Sequence, residues 1–189
     1  MEALREKIRQ EGEVVSSSIL KVDSFLNHQI DAGFMMEIGR EFAHRFQDEK
    51  ITKVVTIEAS GIAPALTAAA VLGVPVVFAK KTKATTMDTE VYVEQVESFT
   101  RGTTYDIKVS KKFLHKEDRV LIIDDFLAYG HAALGLAKIV KKSGAQLVGV
   151  GAVIEKGFQS GGELLRGQGI RVESLAIVER MEEKEIIFK

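Results

Sequence analysis

The 189-residue chain has no cysteine, no tryptophan and only two prolines. Without cysteine there is no disulfide framework, no thiolate metal site and no thiol nucleophile, so stability rests on packing, and a reducing, cytoplasmic setting fits. Net charge is nearly absent as well: 26 Lys and Arg against 27 Asp and Glu leave −1. That balance gives no electrostatic footprint for coating nucleic acid or an anionic membrane, and any anionic ligand must be held by local groups. Long apolar runs are also missing, since charges interrupt each one well before the ~20 residues that a bilayer span requires. The start, Met1-Glu2-Ala3-Leu4-Arg5-Glu6-Lys7, mixes acids with bases and leads into no apolar run, so it does not read as a signal peptide. The four histidines, His28, His44, His115 and His131, show no metal-ligand spacing. Neither a membrane, nor nucleic acid, nor a histidine-held metal is expected.

What is present is ordinary globular material, 46% hydrophobic and 28% charged, enough for one domain over residues 1–189 with a real core. Glu2 to Glu11, with Leu4 and Ile8 four apart, reads as a surface helix ended by Gly12. Ile19 to Val22 is a candidate short strand, but periodicity does not decide the segment from Val14 to Ile30. Asp31 caps a helix whose Phe34, Ile38, Phe42 and Phe46 form one apolar stripe. Lys53 to Ile57 is a strand, Pro64 lies in the first turn of an alanine-rich helix closed by Gly73, and Val74 to Phe78 is a second strand running to Lys80-Lys81. Such a βαβ unit carries a right-handed crossover. Thr82 to Val109 reads as an inserted hairpin, the kind of loop that can close over a ligand. Arg119 to Asp125 and Gln146 to Ile154 resume the strands, separated by a helix from Gly130 to Gly144, and Val172 to Val178 is the last strand before a charged end. The fold class is therefore α/β.

In an open parallel sheet ligands gather where strands end at their carboxyl termini. Four such places carry useful residues: Glu58-Ala59-Ser60-Gly61, Lys80-Lys81, Asp124 to Ala132, and Glu155-Lys156-Gly157-Phe158. The richest is Val120-Leu-Ile-Ile-Asp124-Asp125-Phe-Leu-Ala128-Tyr129-Gly130-His131-Ala132. Four apolar strand residues deliver two acids, and a glycine-containing loop opens a helix whose backbone N–H groups and dipole suit a phosphate. The acids suit sugar hydroxyls or a magnesium ion instead. Asp124-Asp125 could otherwise be a helix cap with a solvated neighbour. Glu58 to Gly61, with little side chain at Ala59 and Gly61, leaves backbone N–H groups open to pyrophosphate, or is a plain strand-to-helix turn. A dinucleotide site is unsupported, because Gly149-Val150-Gly151 lies inside an apolar strand.

The segment from Val120 to Ala132 resembles the phosphoribosyl pyrophosphate (PRPP) signature of the type I phosphoribosyltransferases. Where that family often has Thr-Gly-Gly-Thr, this chain has Ala128-Tyr129-Gly130-His131-Ala132, which removes hydroxyl contacts at Ala128 and Ala132 but leaves the backbone ones. With Leu20 to Gln29, Glu58 to Gly61 and Glu155 to Phe158 added, nearly the whole chain is similar to the small bacterial, xanthine-using branch of that family. The resemblance implies a parallel sheet flanked by helices, a small N-terminal hood of about residues 1–30 and an inserted flexible β-hairpin. It implies transfer of 5-phosphoribosyl from PRPP to N9 of a 6-oxopurine, with Mg2+ arriving with PRPP, and a homodimer. On it, Leu20, Asn27 and Lys156 contact the purine, and Ala128, Tyr129, Gly130, His131 and Ala132 cradle the 5-phosphate. Ala59, Ser60 and Lys81 serve pyrophosphate, Lys81 across the dimer interface, while Asp124 and Asp125 do the catalytic work on the ribose.

A competing class stays open: a regulator that keeps the sugar-phosphate site, binds nucleic acid and has lost catalysis. Residues 1 to 50 hold more acids than bases and no helix-turn-helix pattern, which counts against it. Among purines, position 2 separates xanthine from guanine and hypoxanthine, and xanthine rests on the resemblance.

Overall fold

The structure, a computed structural model, describes residues 1–82, 90–98, 103–182 and 185–189. Helix α1 (Glu2–Glu11) ends at Gly12 as its charge-rich pattern predicts, and buries Leu4 and Ile8. A small antiparallel hairpin, β1 (Glu13–Ser16) and β2 (Ile19–Lys21), follows, and residues Asp23–Asn27 form one wide helical turn that buries Phe25 and Leu26. This settles the undecided N-terminal stretch as hairpin plus turn. In α2 (Ala32–Arg45) the Asp31 carboxylate accepts from the Phe34 N–H at 3.0 Å. Ile38, Phe42 and Phe46 of the stripe are fully buried.

The alternating segment contains β3 (Lys53–Ile57), α3 (Ile62–Leu72), β4 (Val76–Thr82), the paired strands β5 (Val91–Ser98) and β6 (Thr103–Ser110), then β7 (Arg119–Leu127) and α4 (His131–Ser143). It closes with β8 (Gln146–Lys156), a short α5 (Gly161–Gly167), β9 (Val172–Glu182) and β10 (Glu185–Phe188). Gly73 and Gly144 end their helices in the left-handed conformation, φ 70° and 80°, which a glycine adopts without a Cβ penalty.

The sheet order is β10-β9-β8-β7-β3-β4-β6-β5. The five inner strands from β9 to β4 are parallel, as expected, but β10 at one end and β6 and β5 at the other run antiparallel. The sheet is thus mixed, because the inserted hairpin joins it as two edge strands and the C-terminus folds back onto β9. Several features differ from the sequence expectation. Strand β7 continues to Leu127, so Asp124 and Asp125 lie within the strand and not at its end. Helix α5 and strand β10 were not expected; the high charge of the C-terminal residues masks the Ile186-Ile187-Phe188 run. The tips expected to close over a ligand fall on residues 83–89 and 99–102, outside the described residues.

Two apolar layers sandwich the sheet. Phe25, Met35, Ile38, Phe42 and Ala68 pack with Leu121 and Ile123 on one side, while Leu136, Ile139 and Val140 of α4 pack with Ile57, Ile107 and Ile122 on the other. Alternation along β7 therefore sends Leu121 and Ile123 to one layer and Val120, Ile122 and Asp124 to the other. Among the described residues no helix is long and apolar enough to cross a membrane.

Candidate functional site

Asp124 is carried to the α4 side by β7 and is only 8% exposed. Burial, then the neighbouring Asp125 charge, push its carboxyl well above the usual carboxylate range, with Lys81 partly offsetting them. Its Oδ1 accepts from the Asp125 N–H at 3.0 Å. Helix capping does not explain these acids, because the residue that caps α4 is Gly130.

The Glu58 to Gly61 turn comes to the same place. A Cβ at Gly61 would collide with Thr56 Oγ1 and stand 2.8 Å from Asp124 Oδ1, so only glycine lets this turn lie against the acid. The Thr56 hydroxyl is fully buried there and, among the described residues, has no hydrogen-bond partner. Glu58 Oε1 accepts from the Lys81 N–H at 2.6 Å, tying the turn to the end of β4. Ser60 is half-buried and Ala59 exposed in this turn, whose Glu58–Ala59 peptide is cis. Lys81 lies with its ammonium 5.6 Å from the Tyr105 ring centroid. The Tyr105 phenol is raised by burial and then by the Asp124 charge. The strand pleat turns Lys80 the other way. It lines a cleft of about 640 Å³ with Phe78, Lys108 and Phe113 that contains neither acid.

After β7 the chain makes the Ala128 to Gly130 loop and enters α4 at His131. Gly130 has φ 83°, a left-handed conformation, and its carbonyl accepts from the Leu134 N–H at 2.9 Å. The loop leans on α5, where the Gly161 N–H donates to the Ala128 carbonyl at 2.9 Å. Tyr129 and His131 are half-buried with rings 6.3 Å apart, and His131 Nδ1 is 3.3 Å from the Glu97 carbonyl of β5. Ala132 lies in the first turn of α4. These are the N–H groups and dipole end that the sequence pattern places beside the acids.

At the end of β8, Lys156 donates to the Ser18 carbonyl at 2.7 Å, which joins the N-terminal hairpin to the sheet, and its ammonium is 5.5 Å from the Phe126 ring centroid. Desolvation lowers its pKa. Leu20 is buried, its side chain in the apolar core, whereas Asn27 is exposed at the end of the wide helical turn. Phe158 is 38% exposed. Three of the four strand-end segments thus converge on Asp124 or on the loop that follows it, and Lys156 stands beside the hairpin that carries Leu20.

Sequence reasoning missed two participants and the partners of a third. Thr56 and Tyr105 carry no local signal: Thr56 lies on β3 beside β7, and Tyr105, on β6 beyond β4, feels the Asp124 charge only once the sheet has formed. The third is Glu155, buried with a bidentate ion pair to Arg166 at 2.8 and 2.8 Å and a hydrogen bond from Ser174. Ser160 three residues before Glu163 is the pattern of a helix start and was the available clue to α5, although Ser160 makes no side-chain cap bond.

The Phosphoribosyl transferase domain model matches residues 27–184. The xanthine phosphoribosyltransferase of Bacillus cytotoxicus is 58% identical over 188 residues, covering 100% of this chain and 95% of that protein. The protein of the same name from Bacillus mycoides is 56% identical over the same spans. Among solved structures, adenine phosphoribosyltransferase from Rhodothermus marinus superposes with a TM-score of 0.75 at 23% identity, covering 94% of this chain and 100% of that one. The corresponding protein from Thermoanaerobacter pseudethanolicus gives 0.74 at 23% identity, covering 92% and 98%. At that identity the likeness is one of fold.

Proposed function

The chain belongs to the phosphoribosyl transferase domain family, and from that membership we propose that it is a purine-salvage xanthine phosphoribosyltransferase acting as one domain over residues 1–189. It joins N9 of xanthine to C1 of the ribose of PRPP while the C1–O bond to pyrophosphate breaks, giving XMP, and the base gives up its N9 proton. The observation that carries the reading is the meeting of a buried acid with its half-buried neighbour, a tight glycine turn and a helix-start loop at one place, within a chain 58% identical to a protein of that name.

The residues divide the work by their chemistry. Backbone N–H groups of residues 128 to 132 at the start of α4 hold the 5-phosphate, and the positive end of the helix favours its charge. Asp125 and Asp124 accept from the ribose hydroxyls. Cleavage of the C1 bond leaves a cation-like sugar, and Asp124, reluctant to ionise beside Asp125, is stabilised as an anion when positive charge develops next to it. Lys81, with Ala59 and Ser60, receives the departing pyrophosphate, Lys81 from across the dimer interface. Lys156 donates to an exocyclic purine oxygen, which favours a 6-oxopurine over adenine. Leu20 and Asn27 complete the purine side from the hood.

Magnesium fits this site as a companion of the substrate. Among the described residues no cluster of three or more His, Asp or Glu forms a cage, yet two adjacent carboxylates are the oxygen donors that such an ion accepts. Bound with PRPP, it would supply charge neutralisation at the pyrophosphate oxygens. A homodimer and a cytoplasmic setting belong to the same proposal.

The test is steady-state nucleotide formation with PRPP and magnesium, offering xanthine, guanine, hypoxanthine and adenine in parallel. Preference for xanthine is expected. A folded protein that turns over none of the four would overturn the reading.

A further inference from the structure

We propose that α5 is a buttress for the phosphate loop: Gly161 and Arg166 are positioning residues that set the geometry of residues 128 to 130, a role that rests on reading this loop as the 5-phosphate cradle. The contact is backbone on backbone. A Cβ built on Gly161 would strike the Ala128 carbonyl oxygen and stand 2.6 Å from Gly130 N and 2.8 Å from the Tyr129 carbonyl carbon. From the other side, a Cβ on Gly130 would stand 3.1 Å from Gly161 Cα. The two glycines thus permit an approach that no other pair of residues allows, and the Gly161 N–H clamps it with a 2.9 Å bond to the Ala128 carbonyl.

A helix of seven residues cannot hold this position by its own hydrogen bonds. It is fixed from below by Glu155, whose two oxygens take the Arg166 fork at 2.8 Å each and which also accepts from Ser174 on β9. Gly162 has its own tight fit here, since a Cβ would run into Glu155 Oε1 and Arg166 Nη1. Glu155 immediately precedes Lys156, so the end of β8 grips α5, and through it the phosphate loop, with one side chain and the hood with the next. Phosphate recognition by backbone N–H groups depends on their direction, because the donors cannot rotate as side chains do, and a displacement of about 1 Å can cost on the order of a hundredfold in rate. A rigid support behind the loop supplies that direction where Ala128 and Ala132 offer no hydroxyl.

Gly161→Ala tests this without backbone strain at the substituted residue, because Gly161 is not among the positive-φ glycines. The loop must retreat by roughly 1 Å to restore van der Waals spacing. Expected are a KM for PRPP raised by about tenfold or more, an unchanged KM for xanthine and a modest loss of thermal stability from the displaced backbone. The direct readout is titration of 15N-labelled protein with ribose 5-phosphate, following the amides of residues 129 to 132. If these amides shift in the parent protein and Gly161→Ala binds as tightly, the buttress is refuted. If they do not shift in the parent protein, the cradle reading beneath it falls. Should Gly161→Ala fail to fold, Arg166→Lys keeps the charge and loses the fork. It is expected to raise the KM for PRPP more than that for xanthine, and equal changes in both would overturn the proposal.

Discussion

Replacing Arg166 by methionine isolates what the Glu155 ion pair contributes. Glu155 has a side chain only 6% exposed, while that of Arg166 is 41% exposed. Removing one partner of a buried pair costs about 3 to 5 kcal/mol, because the charge left behind is uncompensated. The exposure of Arg166 lets water take part of its place, and Ser174 still donates, so the expected loss is at the lower end, ~3 kcal/mol at neutral pH. For a chain of this size that lowers Tm by about 6 to 12 °C. The pH dependence separates this cause from lost packing. Burial pushes the Glu155 carboxyl up, but Arg166 and Ser174 outweigh it and hold its pKa below 4.5. A depressed carboxylate contributes stability that is present above its unfolded pKa and is lost as pH falls through the folded value. In Arg166→Met the contribution is gone, and the buried acid escapes its penalty by taking up a proton as the solution is acidified. The Tm difference between parent and variant should therefore be largest near neutrality and shrink toward pH 4, measured by calorimetry across that range. A difference of under about 2 °C at neutral pH, or one independent of pH, would refute the reasoning.

Asp124→Asn should abolish most turnover while leaving the fold as stable or more stable. Burial and Asp125 raise the Asp124 pKa, so what this group contributes to stability is present at low pH and lost as pH rises from the ordinary carboxylate range toward the raised value; the variant's Tm advantage should grow as the solution is made less acidic, and a parent that is the more stable at neutral pH would contradict the assignment. Lys156→Met removes a donor that bonds Ser18 at 2.7 Å. It should raise the KM for xanthine by about tenfold or more with a smaller effect on that for PRPP, and steady-state kinetics with each substrate varied would expose the opposite pattern.

The parts of the fold that local chemistry encodes could be read before the tertiary structure. Asp31 caps α2, the Phe34 to Phe46 stripe buries its later members, and Gly73 and Gly144 end their helices, because each signal acts within one or two turns of chain. The acid pair, the loop to Ala132 and the Lys156 segment stood out for the same reason: apolar residues followed by polar ones mark the carboxyl-terminal part of a buried inner strand, although β7 runs past the acids to Leu127. The chemistry expected of the site came from resemblance to a family, with Ala128 and Ala132 standing as departures from its pattern.

Tertiary structure alone decided which neighbours those residues acquire. Nothing local distinguishes Lys80 from Lys81, yet the pleat sends Lys81 toward Asp124 and Tyr105 and Lys80 into a separate cleft. Thr56 and Gly61 meet Asp124 only because β3 and β7 lie side by side in the sheet. Gly161 carries no signal in the sequence and is one face of a close backbone contact with a loop whose Gly130 lies 31 residues earlier. Glu155 and Arg166, eleven residues apart, become partners only when folding buries the carboxylate and sets the guanidinium against it. Periodicity and capping are short-range and survive in the one-dimensional pattern; proximity, burial and the pKa values that follow from them depend on residues far apart in the chain, and exist only once the sheet has brought them together.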